Sequence, residues 1–448
     1  MESYKLKDRD IGNEWIFYIF GLFLLFFIPS IFLRELNALE AYKLLYAEKM
    51  LASGTGLFQG GHFDVYPFYP FMVSCVSFFT GSNVFAVRII SALSVFGMAL
   101  MAGYTAMRRG GHKAGATAAA IVLCSIISMQ TGSDASTEYT LFAFLISSAW
   151  FLWYRLSRIE KKWTLCWIVC LSLVFLGVLA SGLKSIFYFY LPILFLRRPL
   201  RCIKRLSQWN HVIIFSLFAF FTVICLYMIT GGDLLFFERE YLLHSVSINK
   251  ASYITSRLLF FPLLLLYLFP WILIMWPPFC AAYKIMEQTP VFFRFLRVII
   301  LTIFLFVIIF PSSSIYDLLP LLPLAAVAAS LHYSILMRRS YFLLNKIRKF
   351  LRVVIWIFPL IPLALFLVQS NSNIKFCPGI LILFQIALSL VFLLLLYFLT
   401  EKRIIFSLET AFLIGMIYTL TISTFYIINY KKRTHSQEIA NVLQTGIV

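Results

Sequence analysis

Charged residues are scarce in this chain of 448 residues, since Asp, Glu, Lys and Arg make up only 13% of it. Soluble domains carry about 25% charged residues, whereas this chain is 61% hydrophobic and 18% aromatic. No stretch of ordinary composition is long enough for a separate soluble domain. The composition therefore predicts an all-α polytopic membrane protein, because helices satisfy their own backbone hydrogen bonds in lipid.

Acidic residues are scarcer than basic ones, 19 against 38, which gives a net charge of +19. The basic residues stand in short loops between apolar runs, so the positive-inside rule explains them and no nucleic-acid partner is expected. The loops predicted to be cytoplasmic are 108–113, 155–162, 197–205 and 338–352. The loops predicted to face the other compartment, here called the outer loops, are 34–82, 132–136, 231–256, 311–316 and 370–377.

Paired cysteines and matched repeats are also absent. None of the eight cysteines forms a CxxC pair, so we expect free thiols in apolar segments. No small-residue cleavage site follows the first apolar run, which predicts an uncleaved anchor. The sequence shows no inverted repeat and no matched pair of Gly/Pro-broken spans, which argues against a transporter.

Long apolar runs fill most of the chain, and their length predicts about thirteen transmembrane helices. The spans lie near 15–33, 83–107, 114–131, 137–154, 164–181, 184–196, 211–230, 257–280, 291–310, 317–337, 352–369, 378–400 and 404–429. A shorter run, YPFMVSCVSFFTG, is too short to cross and should lie at the interface. We divide the chain into a transmembrane core, 1–335, and C-terminal helices with a short outer tail, 336–448.

The first outer loop contains Glu40 in NALEAYKLLYAEKML, whose leucine spacing predicts an amphipathic helix on the membrane surface. In one interpretation Glu40, Lys43 and Glu48 form its solvated face. In the other, one carboxylate points into a site between this helix and the spans. Carboxylates near the membrane are costly, which favours a role.

Asp134 and Glu138 lie in the next outer loop, QTGSDASTEYTLF. They could stabilise a helix N-terminus through its dipole. Glu138 is about one turn into the apolar run, however, and could serve with a first-loop carboxylate as general base toward an acceptor hydroxyl. Arg88, early in a span, either snorkels to the interface or faces a cavity.

The long outer loop 231–256 and its flank carry three cations, Arg239, Lys250 and Arg257. These side chains could bind a phosphate or anionic lipid head groups. His62, Asp64 and His244 are weak candidates for a metal site, because no ligand spacing supports them.

The order of these segments resembles the aminoarabinose-transferase and protein-mannosyltransferase superfamily, which are membrane glycosyltransferases of the GT-C class. The resemblance runs over roughly 15–335, and its closest piece is NVFAVRIISAL (Asn83–Leu93). The other matching segments are LEAYKLLYAEKMLASG, HFDVYPFYPFM, STEYTLFAF, LFPWILIMWPPF and YDLLPLLPLAAVAA.

The resemblance implies a GT-C fold and an enzyme of the bacterial inner membrane. Such an enzyme transfers a sugar from a polyprenyl-phosphate carrier to a hydroxyl of lipopolysaccharide, another glycolipid or a protein, on the periplasmic side. Its base is a first-loop carboxylate, and cations or a divalent metal ion stabilise the leaving phosphate. The candidate catalytic residues are Glu40, Glu138 and Asp64. The candidate phosphate ligands are Arg88, Arg239, Lys250 and Arg257.

The sequence departs from the family pattern at three positions. The catalytic Asp of the family falls on Leu39, and a family Lys falls on Tyr66. The Lys of its Lys-Gly-Pro motif falls near Ser181, with Lys184 one turn later. Either Glu40 or Asp64 replaces the missing base, or the chain has lost turnover and acts as a lipid-sugar binding or partner subunit.

Overall fold

The computed structural model describes most of the chain up to Arg339. The described residues are 14–33, 37–53, 66–135, 138–157, 163–196, 202–230, 260–265, 267–268, 271–280, 284, 287, 289–309 and 314–339. All regular structure in this part is helical, as predicted. Asp64, His62, His244, Arg239, Lys250, Arg257 and the spans predicted after 339 lie outside the described residues. The predicted boundary at 335 falls inside a helix that continues to Arg339.

Among the described residues before position 231 there are ten helices. They are α1 (Glu14–Leu33), α2 (Ala38–Ser53), α3 (Phe68–Thr80), α4 (Val84–Leu123), α5 (Ile126–Ser133), α6 (Tyr139–Ser157), α7 (Trp163–Ser181), α8 (Lys184–Phe195), α9 (Cys202–Leu206) and α10 (Trp209–Thr230). The helical elements that follow are Ile272–Met275, Pro277–Phe279, Pro290–Ile309, Ile315–Leu321 and Leu322–Arg339.

Within the described residues, five stretches are long and apolar enough to cross a membrane. They are Val84–Leu123, Trp163–Ser181, Trp209–Met228, Pro290–Ile309 and Ile315–Tyr333. These stretches confirm a multi-pass membrane protein. The short apolar run forms α3, whose 13 residues are too few to cross.

Helix α4 is a hairpin of two arms rather than one rod. It breaks at Gly111, whose φ of 80° and ψ of 179° are not helical. A Cβ at Gly115 would lie 2.9 Å from the carbonyl oxygen of Gly103 and 2.8 Å from the Met107 Cβ. Small residues thus let the two arms approach closely, as is typical of helices packed in membranes. The hairpin agrees with the two spans predicted on either side of 108–113.

The core lies among α1, α4, α6 and the last two long helices. Phe23 of α1 packs on Phe96 of α4 with ring centroids 4.7 Å apart. Trp150 and Trp153 of α6 each lie 5.9 Å from the Phe295 ring. These aromatic contacts tie α1 to α4 and α6 to the helix Pro290–Ile309.

Several helix termini that carry polar side chains lie together at one end of the bundle, here called the Glu40 end. It comprises the C-terminal ends of α1 and α5, the N-terminal ends of α2, α4, α6 and α8, and residues 314–317. The opposite end carries the 108–113 turn, where the Arg109 guanidinium lies 3.7 Å from the Phe292 ring. The 108–113 turn therefore lies at the opposite end of the bundle from Asp134 and Glu138.

Candidate functional site

The N-terminal half of helix α2 turns two charged residues, Glu40 and Lys43, inward and Leu39 outward. The side chains of Glu40 and Lys43 are only 0% and 1% exposed, whereas Leu39 is 55% exposed. One residue rotates a helix by about 100°, which separates Leu39 from Glu40. The solvated-face interpretation is therefore wrong for Glu40 and Lys43, although Glu48 is exposed.

Glu40 and Arg88 form a buried ion pair with two parallel hydrogen bonds. Arg88 Nε donates to Glu40 Oε1 at 3.0 Å, and Nη2 donates to Oε2 at 2.7 Å. Arg88 Nη1 donates to the carbonyl oxygen of Ile31 at 2.9 Å. The guanidinium thus joins the end of α1, the start of α2 and the start of α4, and its fork geometry suits a carboxylate.

Two backbone amides complete the surroundings of Glu40. Asn37 N donates to Oε2 at 3.1 Å, and Ala135 N donates to Oε1 at 3.0 Å. Asn37 Oδ1 in turn accepts from Glu40 N at 2.8 Å, a reciprocal cap at the start of α2. A carboxylate offers about four lone-pair sites, and here four donors occupy them. Glu40 is consequently a structural junction with no lone pair left for a substrate.

Lys43 lies one turn further along α2 and binds the segment that follows α5. Its Nζ lies 2.6 Å from Glu138 Oε1 and donates to the carbonyl oxygen of Ala135 at 2.9 Å. The same ammonium stands 4.6 Å from the centre of the Tyr69 ring. Lys43 is buried, whereas the Glu138 side chain keeps 19% of its surface exposed. Glu138 is therefore a partly accessible carboxylate, as is Asp134, whereas Glu40 is fully buried.

Tyr69 anchors the other side of this arrangement. Its hydroxyl donates to the carbonyl oxygen of Val87 at 2.9 Å and shares a hydrogen bond with Ser91 at 2.7 Å. Burial raises the pKa of Tyr69 well above its usual range. The phenol therefore stays neutral, and the ring faces Lys43 as a fixed cation–π surface.

A second polar cluster adjoins the first through Tyr139, which directly follows Glu138. Lys184 Nζ lies 3.1 Å from Asp317 Oδ1 and 4.7 Å from the centre of the Tyr139 ring. Asp317 Oδ2 accepts from Ser314 N at 2.7 Å and so caps the N-terminus of the helix Ile315–Leu321. The Tyr316 ring centroid lies 5.8 Å from that of Tyr139. The Lys184 side chain is 19% exposed, so this second cluster contains a partly accessible cation.

Three of the residues predicted for the site thus converge at the Glu40 end: Glu40, Arg88 and Glu138. Asp134 joins them, because Asn37 Nδ2 donates to its Oδ1 at 3.4 Å. The described part of the chain holds no group of three or more His, Cys, Asp or Glu suited to a metal ion. The roles assigned to Asp64, to the cations of 231–257 and to a metal at His62 or His244 stay predictions.

Sequence reasoning missed Asp317 and the partner of Lys43. Asp317 had a usable signal, because it is the only acidic residue between Glu287 and Glu401, and an isolated acid in an apolar run indicates a functional or paired residue. Lys43 had no such signal, since Glu40 and Glu48 surround it in a pattern equally typical of a solvated helix face.

The described helices, with the polar clusters at their common end, define an all-α polytopic membrane protein. No protein-family model and no curated protein matches the chain. Two solved structures of ArnT from Cupriavidus metallidurans are similar to it. The one bound to undecaprenyl phosphate has a TM-score of 0.69 and 16% identity over 93% of this chain and 77% of that one. The apo structure has the same TM-score and coverage with 17% identity. The likeness confirms the predicted fold.

Proposed function

We propose that this protein is an integral-membrane glycosyltransferase that takes a sugar from a polyprenyl-phosphate carrier and transfers it to an acceptor hydroxyl. One observation carries the proposal: a partly exposed carboxylate, Glu138, directly precedes Tyr139, whose ring centre lies 4.7 Å from the ammonium of a partly exposed lysine, Lys184, at one end of a GT-C fold. The solved ArnT structure with undecaprenyl phosphate supports a lipid carrier of this class. We place the Glu40 end on the periplasmic side of a bacterial inner membrane, following the loop charges.

Glu138 is the base in this proposal. The acceptor oxygen attacks the anomeric carbon of the sugar while the bond from that carbon to the carrier phosphate oxygen breaks. The phosphate keeps the electron pair of the broken bond, and the acceptor proton passes to the Glu138 carboxylate. Glu40 is unsuited to this step because Arg88 and two backbone amides use its lone pairs. Asp64 remains a second candidate from the sequence.

Lys184 is the cation that stabilises the charge developing on the leaving phosphate. Electrostatic stabilisation of developing charge usually contributes more to the rate enhancement of an enzyme than any other single effect. Lys184 has one carboxylate partner in the described residues, Asp317, and its side chain is 19% exposed. We assign Arg88 to holding Glu40 and not to the phosphate. Arg239, Lys250 and Arg257 remain candidate phosphate ligands from the sequence.

The test uses the full chain reconstituted in lipid nanodiscs, with radiolabelled hexosyl and pentosyl polyprenyl phosphates as donors. Lipid A, a neutral glycolipid and a periplasmic protein extract serve as acceptors. We expect label to move to one acceptor class and free polyprenyl phosphate to appear in equal amount. Glu138→Gln should lower this rate by about 10²–10⁴-fold. Lys49→Met, at an exposed lysine of α2, is the matched control and should be unchanged.

Lys184→Met tests the proposed cation in the same assay. Losing a charge-assisted hydrogen bond that strengthens as the leaving phosphate gains charge should lower kcat by about tenfold or more. Binding of the carrier by a wild-type protein that transfers sugar from no donor would reject the enzyme and favour a lipid-sugar binding or partner subunit. Wild-type turnover in Glu138→Gln would reject Glu138 as the base.

A further inference from the structure

The Ala135 peptide is held at both of its polar groups by side chains from α2. Its N–H donates to Glu40 Oε1 at 3.0 Å, and its carbonyl oxygen accepts from Lys43 Nζ at 2.9 Å. Glu40 and Lys43 are three residues apart, so they lie on the same face of the helix. Two charged groups therefore fix the position and the orientation of the backbone at Ala135, just before α6.

Lys43 also fixes the carboxylate that follows this peptide. One ammonium contacts the carbonyl oxygen of Ala135 and the Oε1 of Glu138, which lies three residues later. The Tyr69 ring supports it from the side, and Tyr69 is itself hydrogen-bonded to Val87 and Ser91 on α4. Lys43 thus links the placement of Glu138 to three helices.

We infer that Lys43 is the positioning residue for Glu138, and that it aims the carboxylate at the acceptor hydroxyl. Lys43 is 1% exposed and so acts through Glu138 without touching the substrate. The inference rests on the proposed function and adds to it a residue that sets the geometry of the base. A misplacement of about 1 Å can lower a rate by about 10²-fold, so the role has a measurable size.

The first test compares Lys43→Met with Lys43→Arg and with the exposed control Lys49→Met. Methionine keeps the apolar stem and removes the charge and all donors, whereas arginine restores a cation with donors. We expect Lys43→Met to lower kcat per folded molecule by about 100-fold, with little change in KM for the carrier. Lys43→Arg should recover a large part of the loss, and Lys49→Met should match wild type. An unchanged kcat per folded molecule in Lys43→Met would overturn the inference.

A double variant distinguishes action through Glu138 from an independent effect. If Lys43 acts through Glu138, adding Lys43→Met to Glu138→Gln should not lower the residual rate further, because coupled residues are non-additive. A second loss of about 100-fold in the double variant would show that Lys43 works elsewhere and would overturn the inference.

The last test needs no turnover. Wild type and each lysine variant are treated in membranes with a hydrophobic carbodiimide, and labelling of Glu138 is followed by peptide mass spectrometry. The Lys43 ammonium shields the Glu138 carboxylate, so Glu138 should be labelled about tenfold faster in Lys43→Met than in wild type. In Lys43→Arg and Lys49→Met the labelling rate of Glu138 should stay close to that of wild type. Equal labelling of wild type and Lys43→Met would overturn the positioning role. If labelling changes as expected but wild type transfers no sugar, the proposed function fails, and with it the aim at an acceptor, whereas the hold of Lys43 on the Glu138 carboxylate stands.

Discussion

Arg88 and Glu40 meet through two hydrogen bonds of 3.0 and 2.7 Å, although 48 residues separate them in the sequence. Both side chains are completely buried. Each therefore provides the charge that makes burial of the other tolerable, and the pair fastens α2 to the first turn of α4. Removing one partner leaves an uncompensated buried charge, which is far more costly than losing the pair as a whole.

Arg88→Met should lower the free energy of unfolding by about 3–5 kcal/mol, because Glu40 stays buried with its charge uncompensated. Arg88→Lys should fall between this variant and wild type, since lysine carries the charge without the two-pronged fork. Thermal unfolding of each purified protein in detergent, followed by the loss of monodisperse protein, gives an unfolding temperature. These temperatures should fall in the order wild type, Arg88→Lys, Arg88→Met.

The control for Arg88 is the double variant Glu40→Gln/Arg88→Met. Its destabilisation should be smaller than that of Arg88→Met, because glutamine is neutral and its carbonyl oxygen can still accept from a backbone amide. A double variant as unstable as the single one would show that the charge of Glu40 does not explain the effect.

Leu39→Asp should not create a base, although the catalytic Asp of the family that the sequence resembles falls on this position. Leu39 is 55% exposed and points away from Glu40. An acid in the first turn of α2 is favourable to the helix dipole, so the change in stability should stay within about 0.5 kcal/mol. The sugar-transfer assay should give the wild-type rate. A large gain in rate would mean that position 39 reaches the reacting groups.

Gly111→Ala should destabilise the α4 hairpin by about 1–3 kcal/mol, because the backbone there adopts a conformation almost restricted to glycine. No atom lies within 4 Å of a Cβ built at Gly111, so the loss comes from the backbone alone. Gly21→Ala is the matched control, since its Cβ also meets nothing within 4 Å and its helical backbone accepts alanine. Equal unfolding temperatures of the two variants would contradict this account.

The helical fold could be predicted from the sequence, because the length of an apolar run and the charge of a loop are local properties. The spans on either side of 108–113 illustrate this, since they became the two arms of α4. Which face of α2 packs against the protein interior could not be predicted in the same way. In a membrane protein both the interior and the lipid accept leucine, so leucine spacing identifies a face without saying which side it contacts.

The partners in the site required the tertiary structure. Lys184 and Asp317 are 133 residues apart, and no sequence spacing relates them. Glu138 could be identified as unusual because it stands in an apolar run, but its ion pair with Lys43 depends on how α2 docks. Sequence therefore identified candidate charged groups, and the packing of helix ends decided which of them meet.

The buried pair of Glu40 and Arg88 also bears on how the helices assemble in the membrane. Arg88 belongs to a transmembrane hairpin that can insert by its own hydrophobicity, whereas Glu40 belongs to a separate helix with charged residues. Until α2 docks, Arg88 needs water or lipid phosphates as partners, because an unpaired cation is costly in hydrocarbon. Docking of α2 and burial of Arg88 are therefore coupled, because each charge makes burial of the other tolerable.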